Sequence, residues 1–130
     1  MSYETLETKK EEAEPMDLVS KELFESGIQQ LELSIHAIES NLVIANSMLQ
    51  QAELLEKREL KAQIEESINK DREVLKQAKQ QLVDLYLDIA NTLDRKLLGA
   101  LKEHVIRGEN GLDPDDKVKV LNQINTNRNR

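Results

Sequence analysis

The stretch FESGIQQLELSIHAIESNLVIANSMLQQA, residues 24–52, carries the pattern that decides the fold. Its apolar residues recur at alternating steps of four and three, at Phe24, Ile28, Leu31, Ile35, Ile38, Leu42, Ala45, Leu49 and Ala52. This spacing brings one face of a helix back every 3.5 residues and is typical of helices that pack as coiled coils. Further apolar residues widen the stripe, so we expect the helix to have more than one neighbour. These are Leu33, Val43, Ile44 and Met48.

A second apolar stripe lies further along the chain, at Leu75, Ala78, Leu82, Leu85 and Ile89, and drifts on to Leu93, Leu97 and Leu101. It is out of phase with the first by two heptad positions, so the helix either breaks between the stripes or contains an irregularity. Glu56–Lys61 coincides with the phase slip, whereas Ser67–Asp71 supplies the residue types that form turns and helix caps. We predict the break at Ser67–Asp71, and hence an all-α antiparallel helical hairpin or coiled coil over residues 16–107. One unbroken helix in a parallel bundle is the alternative, and it would extend about 140 Å at about 1.5 Å per residue.

Helix breakers are concentrated near the end of the chain, in RGENGLDPDD, residues 107–116. We expect the second helix to end before Gly108, with that glycine in the left-handed conformation that commonly terminates helices. Asp113 and Pro114 then predict the start of a short C-terminal helix. The apolar face of this helix would be Val118, Leu121 and Ile124. Residues 108–130 are thus predicted to form a turn, a short helix and a frayed tail.

The net charge of −7 is spread unevenly over the 130 residues. Residues 1–56 hold twelve acidic and three basic residues, whereas residues 57–79 hold seven basic and five acidic ones. Residues 1–15 also lack apolar periodicity, which predicts a disordered acidic tail. No apolar run reaches the roughly 20 residues that span a bilayer, and the acidic start is unlike a secretion signal. We therefore expect a cytoplasmic protein without a membrane partner.

The sequence offers no recognisable catalytic or metal-binding constellation. It has no Cys, which excludes disulfides and thiolate ligands, and its two histidines, His36 and His104, are far apart and expected on the surface. Carboxylates at helical spacing lack the Glu-x-x-His pattern of carboxylate metal bundles, and DPDDKVKVLNQI lacks the Gly and Glu that a calcium loop requires. No Gly-rich phosphate loop is present. We predict that the protein is not an enzyme and has no cofactor, no metal and no small-molecule substrate.

A wide apolar stripe on a thin hairpin cannot bury itself completely, so we predict a homo-oligomer. Such an assembly would repeat any charged stripe in every subunit. The residues expected to form the core and the oligomer contacts are Phe24, Ile28, Leu31, Ile35, Ile38, Leu42, Leu49, Leu75, Leu82, Leu85 and Ile89.

The best candidate for binding nucleic acid is a basic stripe within residues 70–79. Arg72, Lys76 and Lys79 fall at i, i+4 and i+7 and so line one helical face, with Lys70 beside them. Such a stripe would touch about three or four DNA phosphates, enough for salt-sensitive, non-specific attraction. The alternative is that these side chains form ion pairs within the helix surface. The acids available for such pairs are Glu65, Glu66 and Glu73.

Residues 99–116, GALKEHVIRGENGLDPDD, resemble the C-terminal part of the small terminase subunit, the DNA-packaging protein of short-tailed bacteriophages. In that family a helix with a Gly-Ala-Leu-x-Glu pattern runs into an Asn-Gly-Leu turn and an acidic short helix. The matching positions here are Gly99, Ala100, Leu101, Glu103, Asn110, Gly111, Leu112, Asp115 and Asp116. The resemblance implies an oligomer, often a ring built through helical hairpins, that binds DNA and a large motor subunit or the portal. If the protein is viral, the expected cytoplasm is that of the host cell. This chain departs from the family in its longer coil and in lacking a separate N-terminal DNA-binding segment.

Three functions follow as hypotheses. The first is a non-enzymatic oligomeric phage DNA-packaging protein that engages DNA and a motor or portal partner. The second is a coiled-coil adaptor or virion structural protein without a nucleic-acid role. The third, motivated by the acidic first 56 residues, is an inhibitor that occupies a basic site on a host protein.

Overall fold

The computed structural model describes residue 21 and residues 27–108 and 110–130 of the chain. Four helices lie wholly within these residues: α1 (Ile28–Leu54), α2 (Arg58–Thr92), α3 (Leu98–Arg107) and α4 (Pro114–Arg128), with a 3-10 turn at Arg95–Leu97 before α3. The described part contains no strand, which confirms the all-α class. The predicted tail at residues 1–15 and the predicted core residue Phe24 lie outside the described residues.

The first two helices, α1 and α2, pack against each other as an antiparallel hairpin. The chain reverses at residues 55–57, and the predicted break at Ser67–Asp71 is wrong, because those residues are helical and lie inside α2. Glu56 makes the turn in the left-handed conformation, with φ of 56°. The N–H of Glu56 donates to Glu53 O at 3.1 Å, and the N–H of Lys57 donates to Ala52 O at 3.0 Å. These bonds satisfy carbonyls at the end of α1 in the way that a terminal glycine usually does.

The second helix is shorter than the sequence predicts, because α2 ends at Thr92 instead of continuing to Arg107. Leu93 is extended, with ψ of 143°, and Asp94 then caps the 3-10 turn by accepting a hydrogen bond from the N–H of Lys96 at 3.3 Å. This local cap ends one helix and starts the next in a new direction. As a result α3 and α4 pack on each other and α4 packs on α2.

The core is divided between the two ends of the hairpin. At one end, which we call the base, all four helices contribute to one cluster that includes Ile35, Leu82, Tyr86, Leu101 and Ile124. At the other end, which we call the arm (residues 40–54 and 58–74), only α1 and α2 are present. The arm cluster consists of buried Ala52, Ile64 and Ile68 with half-buried Leu42, Ala45 and Leu49 against them. The arm is therefore a two-helix projection with a thin core.

The predicted core residues that the structure describes lie on the inward sides of α1 and α2. Four of them are buried, namely Ile28, Ile35, Leu82 and Ile89. The other six are half-buried, namely Leu31, Ile38, Leu42, Leu49, Leu75 and Leu85. These side chains pack within one copy of the chain, so the exposed apolar residues are the candidates for contacts between copies.

The loop before α4 differs from the prediction in which glycine makes the turn. Gly108 is extended, with φ of −67° and ψ of 141°, and the left-handed residue is Gly111, with φ of 78°. Between them Asn110 is fully buried. Its Nδ2 donates to Val105 O at 3.1 Å and its Oδ1 accepts from the N–H of Leu112 at 3.1 Å. The buried amide therefore fixes the loop to the end of α3.

Helix α4 begins as predicted, with Pro114 in its first turn, and two of its three predicted apolar residues pack inward, since Ile124 is buried and Leu121 is half-buried against the core. Val118 is exposed, and the buried residues are Val120, Ile124 and Asn127. The predicted frayed tail is wrong as far as Arg128, where α4 ends. Asn127 explains this, because its Nδ2 donates to Ala90 O at 2.8 Å and so attaches the last turn of α4 to α2.

Candidate functional site

A second seam runs along an exposed side of α1, about 100° around the helix from the side that faces α2. It consists of Ala37, Asn41, Ile44, Met48 and Gln51 together with Leu55, the first residue after α1, and all six residues are exposed. Their spacing alternates between four and three, so they form one narrow stripe down the helix, as the contact positions of a coiled coil do. Ile44 is 58% exposed and Leu55 is 64% exposed. We call this stripe the outer seam; α1 thus has a covered seam and an uncovered one.

The two helices of the arm differ sharply in charge. Residues 40–52 of α1 contain no charged side chain, whereas α2 carries nine between Arg58 and Val74. In the arm each of the two helices packs on one side against the other and is exposed on its remaining sides, so the difference in charge does not come from a difference in burial. A helix whose outer side faces water normally carries charged residues there. The outer seam is therefore a surface that fits contact with another protein.

A polar cluster in the base joins three helices and the loop. Glu32 of α1 accepts a short hydrogen bond from the hydroxyl of Tyr86 in α2. The same carboxylate oxygen lies 3.2 Å from Nε2 of His104 in α3, and Nε2 is the donor because an ionised carboxylate only accepts. The predicted surface position of His104 is wrong, since its side chain is only 25% exposed and contacts Glu32. Tyr86 is fully buried.

The electrostatics of this cluster are set by burial and by its hydrogen bonds. Burial would raise the pKa of Glu32, but the hydrogen bonds from His104 and Tyr86 and the charges of His104 and His36 outweigh it and hold that pKa below its usual value. Burial raises the pKa of Tyr86, and the hydrogen bond to Glu32 and its charge raise it further, while Asn110 acts in the opposite direction. The ionised carboxylate and the neutral phenol therefore stabilise each other.

This arrangement is suited to holding the fold together and poorly suited to catalysis. The hydroxyl of Tyr86 is the one candidate nucleophile in the cluster, and burial, the bond to Glu32 and a raised pKa all keep it protonated. In the rest of the described residues no three carboxylate or imidazole side chains are grouped to bind a metal ion. The cluster thus positions α3 and the loop against the hairpin.

The predicted DNA-binding residues lie on α2, and acidic side chains surround them. Lys70 Nζ is 3.4 Å from Glu66 Oε1, an exposed pair one helical turn apart. Lys79 Nζ is 3.0 Å from Asp113 Oδ1 at the start of α4. Arg72 and Lys76 line the same cleft as Lys79, together with Asp113 and Asp116. Because the start of α4 packs beside the basic stripe, two carboxylates lie next to the stripe and reduce the attraction of the stripe for phosphate.

Some of these features could have been found in the sequence and others could not. Tyr86 lies next to Leu85 of the second stripe, four residues after Leu82 and three before Ile89, so its spacing is a signal from which burial could have been predicted. Its partner Glu32 is 54 residues away, and no spacing rule connects the two. The outer seam is visible as spacing, but only the structure shows which side of α1 receives α2.

No helix in the part of the chain that the structure describes combines the length and apolar character needed to cross a bilayer. Comparison with models of protein families, with curated proteins and with solved structures gives no match for this chain.

Proposed function

We propose that this protein is a non-enzymatic helical adaptor or structural protein that acts by protein–protein contact through the arm. The observation that supports this proposal is the outer seam, which combines heptad spacing, exposed apolar residues and the absence of charge over residues 40–52. Charge depletion together with exposed apolar side chains such as Met is the composition that distinguishes the centre of an interface from ordinary surface. The thin core of the arm gains stability from any partner that covers this seam.

DNA packaging by an oligomer that engages a motor or portal remains the competing proposal, and it depends on the basic stripe being available. The ion pairs of Lys70 with Glu66 and of Lys79 with Asp113 count against it. The chain outside the arm offers no compensating excess of positive charge, since residues 80–130 hold eight basic and eight acidic residues. Phosphate contacts supply most of the non-specific affinity for DNA, so a neutral surface predicts weak binding.

We expect the protein not to bind a labelled DNA duplex at low salt, about 50 mM, where electrostatic attraction is strongest. The measurement is fluorescence anisotropy of the duplex with the wild type, with Arg72→Glu/Lys76→Glu, and with the matched variant Lys117→Glu/Lys119→Glu on α4. Lys79 is kept in both variants because its bond to Asp113 attaches α4. Salt-sensitive binding by the wild type would overturn the proposal, and its loss in the first variant alone would assign it to the basic stripe.

A further inference from the structure

We propose that the outer seam of α1 is covered by the outer seam of a second copy of this chain, with the two α1 helices antiparallel. The two arms then form a four-helix bundle. This inference rests on the proposed function, since it names the partner of the same surface. Three observations carry it: the neutrality of the seam, its symmetry along the chain and the distribution of the net charge.

The neutrality of the seam favours a second copy as the partner. In a two-fold contact the same patch is used by both subunits, so every charge on it approaches a like charge. The chain as a whole has a net charge of −7, yet the seam and its neighbours in residues 40–52 have none. The polar residues of the seam, Asn41 and Gln51, carry amides, which both donate and accept hydrogen bonds. Amides can therefore pair with amides of an identical chain, whereas carboxylates cannot.

The order of residues along the seam favours the antiparallel arrangement. The steps between its residues read the same in both directions around position 46. In an antiparallel pair with its two-fold axis at that position, Ile44 lies beside Met48 of the partner subunit and Asn41 lies beside Gln51 of the partner subunit. Apolar residues then meet apolar residues, and amides meet amides. Ala37 lies beside Leu55 of the partner subunit, so the smallest side chain of the seam meets one of the largest.

The distribution of charge favours the same arrangement. Residues 40–130 hold fifteen acidic and fifteen basic residues, so the whole net charge of −7 resides in residues 1–39. A parallel pair would bring the starts of the two α1 helices, to which these negative segments are joined, to the same end of the bundle. An antiparallel pair places the starts of the two α1 helices at opposite ends, separated by a seam about 27 Å long at about 1.5 Å per residue. This exceeds the screening length of about 8 Å at physiological salt.

The first test compares two exposed isoleucines by sedimentation or light scattering. Ile44 is 58% exposed on the seam, and Ile106 is 48% exposed on α3, away from the arm. A seam of this length buries less area than a standard interface, so the contact between the two copies is weak. We therefore expect the wild type to be a dimer only at high protein concentration, about 50 µM. Ile44→Glu should raise the dissociation constant by about 100-fold by burying an unpaired charge, whereas Ile106→Glu should leave it unchanged.

The second test uses the absence of cysteine from the chain to read the orientation. Ala37→Cys alone should not form a disulfide dimer, because in the antiparallel pair the two copies of position 37 are about 27 Å apart. A mixture of Ala37→Cys with Leu55→Cys should form the mixed disulfide. Disulfide formation by Ala37→Cys alone would overturn the antiparallel arrangement.

Two further results would overturn the inference, namely a monomeric wild type at about 50 µM and a dimer that Ile44→Glu leaves intact. If the wild type is monomeric and dimerises only after residues 1–20 are deleted, that segment and not a second copy covers the seam. Each of these leaves the adaptor proposal standing with a different partner. Binding of DNA, in contrast, would overturn the adaptor proposal without affecting the pairing of the arms.

Discussion

Replacement of Gly111 by alanine is expected to lower the free energy of unfolding by about 3 kcal/mol. Gly111 has φ of 78°, and an L-residue in the left-handed region costs about 1–2 kcal/mol. A Cβ atom at this position would lie 2.5 Å from Cγ2 of Ile35 and 3.2 Å from Oε1 of Glu39. Ile35 is buried in the base, so it has little room to move, and overpacking of this kind costs about 1–3 kcal/mol. The backbone and packing effects act at the same residue and in the same direction.

Gly99 supplies the matched control for this measurement. It lies in the first turn of α3, and a Cβ atom there would meet only the guanidinium of Arg128, at 3.8 Å. Alanine is favoured over glycine in helices by up to about 1 kcal/mol, so Gly99→Ala should leave stability unchanged or raise it slightly. Urea unfolding followed by circular dichroism measures both variants. Equal stability of Gly111→Ala and Gly99→Ala would show that the loop does not press against α1.

The hairpin was predictable from the sequence because its two stripes are long and regular, but the position of its turn was not. The phase slip at Glu56–Lys61 coincides with the turn that the structure shows at residues 55–57. The turn-forming residues of Ser67–Asp71 favour a break further along the chain, and that prediction is wrong. Those residues stay helical because Ile68 is buried against α1, and this packing overrides local preference. Glu56 takes the left-handed position at a cost that the two backbone hydrogen bonds of the turn offset.

The base was less predictable, because its contacts join residues far apart in the chain. The end of α2 depends on the single cap at Asp94, and the second apolar stripe continues past it without interruption. The sequence predicts a frayed tail because chain ends are poorly ordered unless they are attached to the rest of the fold. Asn127 reverses that outcome by bonding to Ala90, a residue 37 positions away. Polar side chains of this kind support a fold only when their partners are in place, and sequence spacing does not supply that information.

The outer seam of α1 could be predicted from the sequence only in part. α1 carries two seams of heptad spacing, and both are readable in the sequence. The covered seam is the longer and more apolar one, which agrees with its place against α2. The outer seam contains two amides, Asn41 and Gln51, and so reads as ordinary polar surface until its exposure and its lack of charge are considered together. In coiled coils such polar seam positions fix register and partner choice at a cost in stability.

Replacement of Glu32 by alanine is expected to lower the free energy of unfolding by about 3 kcal/mol. The change leaves the hydroxyl of buried Tyr86 without its acceptor, and an unsatisfied buried donor costs about 1–3 kcal/mol. It also removes the bond to His104, which attaches α3 to α1. Glu66→Ala is the control, because the pair of Glu66 with Lys70 is exposed and is worth less than about 1 kcal/mol.

A second substitution measures how much of the loss in stability comes from the Tyr86 hydroxyl that Glu32→Ala leaves without an acceptor. In Glu32→Ala/Tyr86→Phe the donor is removed together with its acceptor, so part of the lost stability should return, by about 1–2 kcal/mol. Thermal or urea unfolding of the wild type, both single variants and the double variant measures this coupling. Additive losses, with no recovery in the double variant, would contradict the bond between Glu32 and Tyr86.

The acid dependence of stability gives an independent measure of the same carboxylate. The pKa of Glu32 is lower in the folded protein than its ordinary value of 4.5, so the folded state binds this proton less readily than the unfolded state. The contribution of Glu32 is therefore fully present above about pH 4.5 and is lost as the pH falls through the lower folded value. We expect the stability difference between the wild type and Glu32→Ala to shrink as the pH falls below about 4.5, where the unfolded carboxyl takes up its proton first. A difference that stays constant to about pH 3 would show that Glu32 acts in the cluster without its charge.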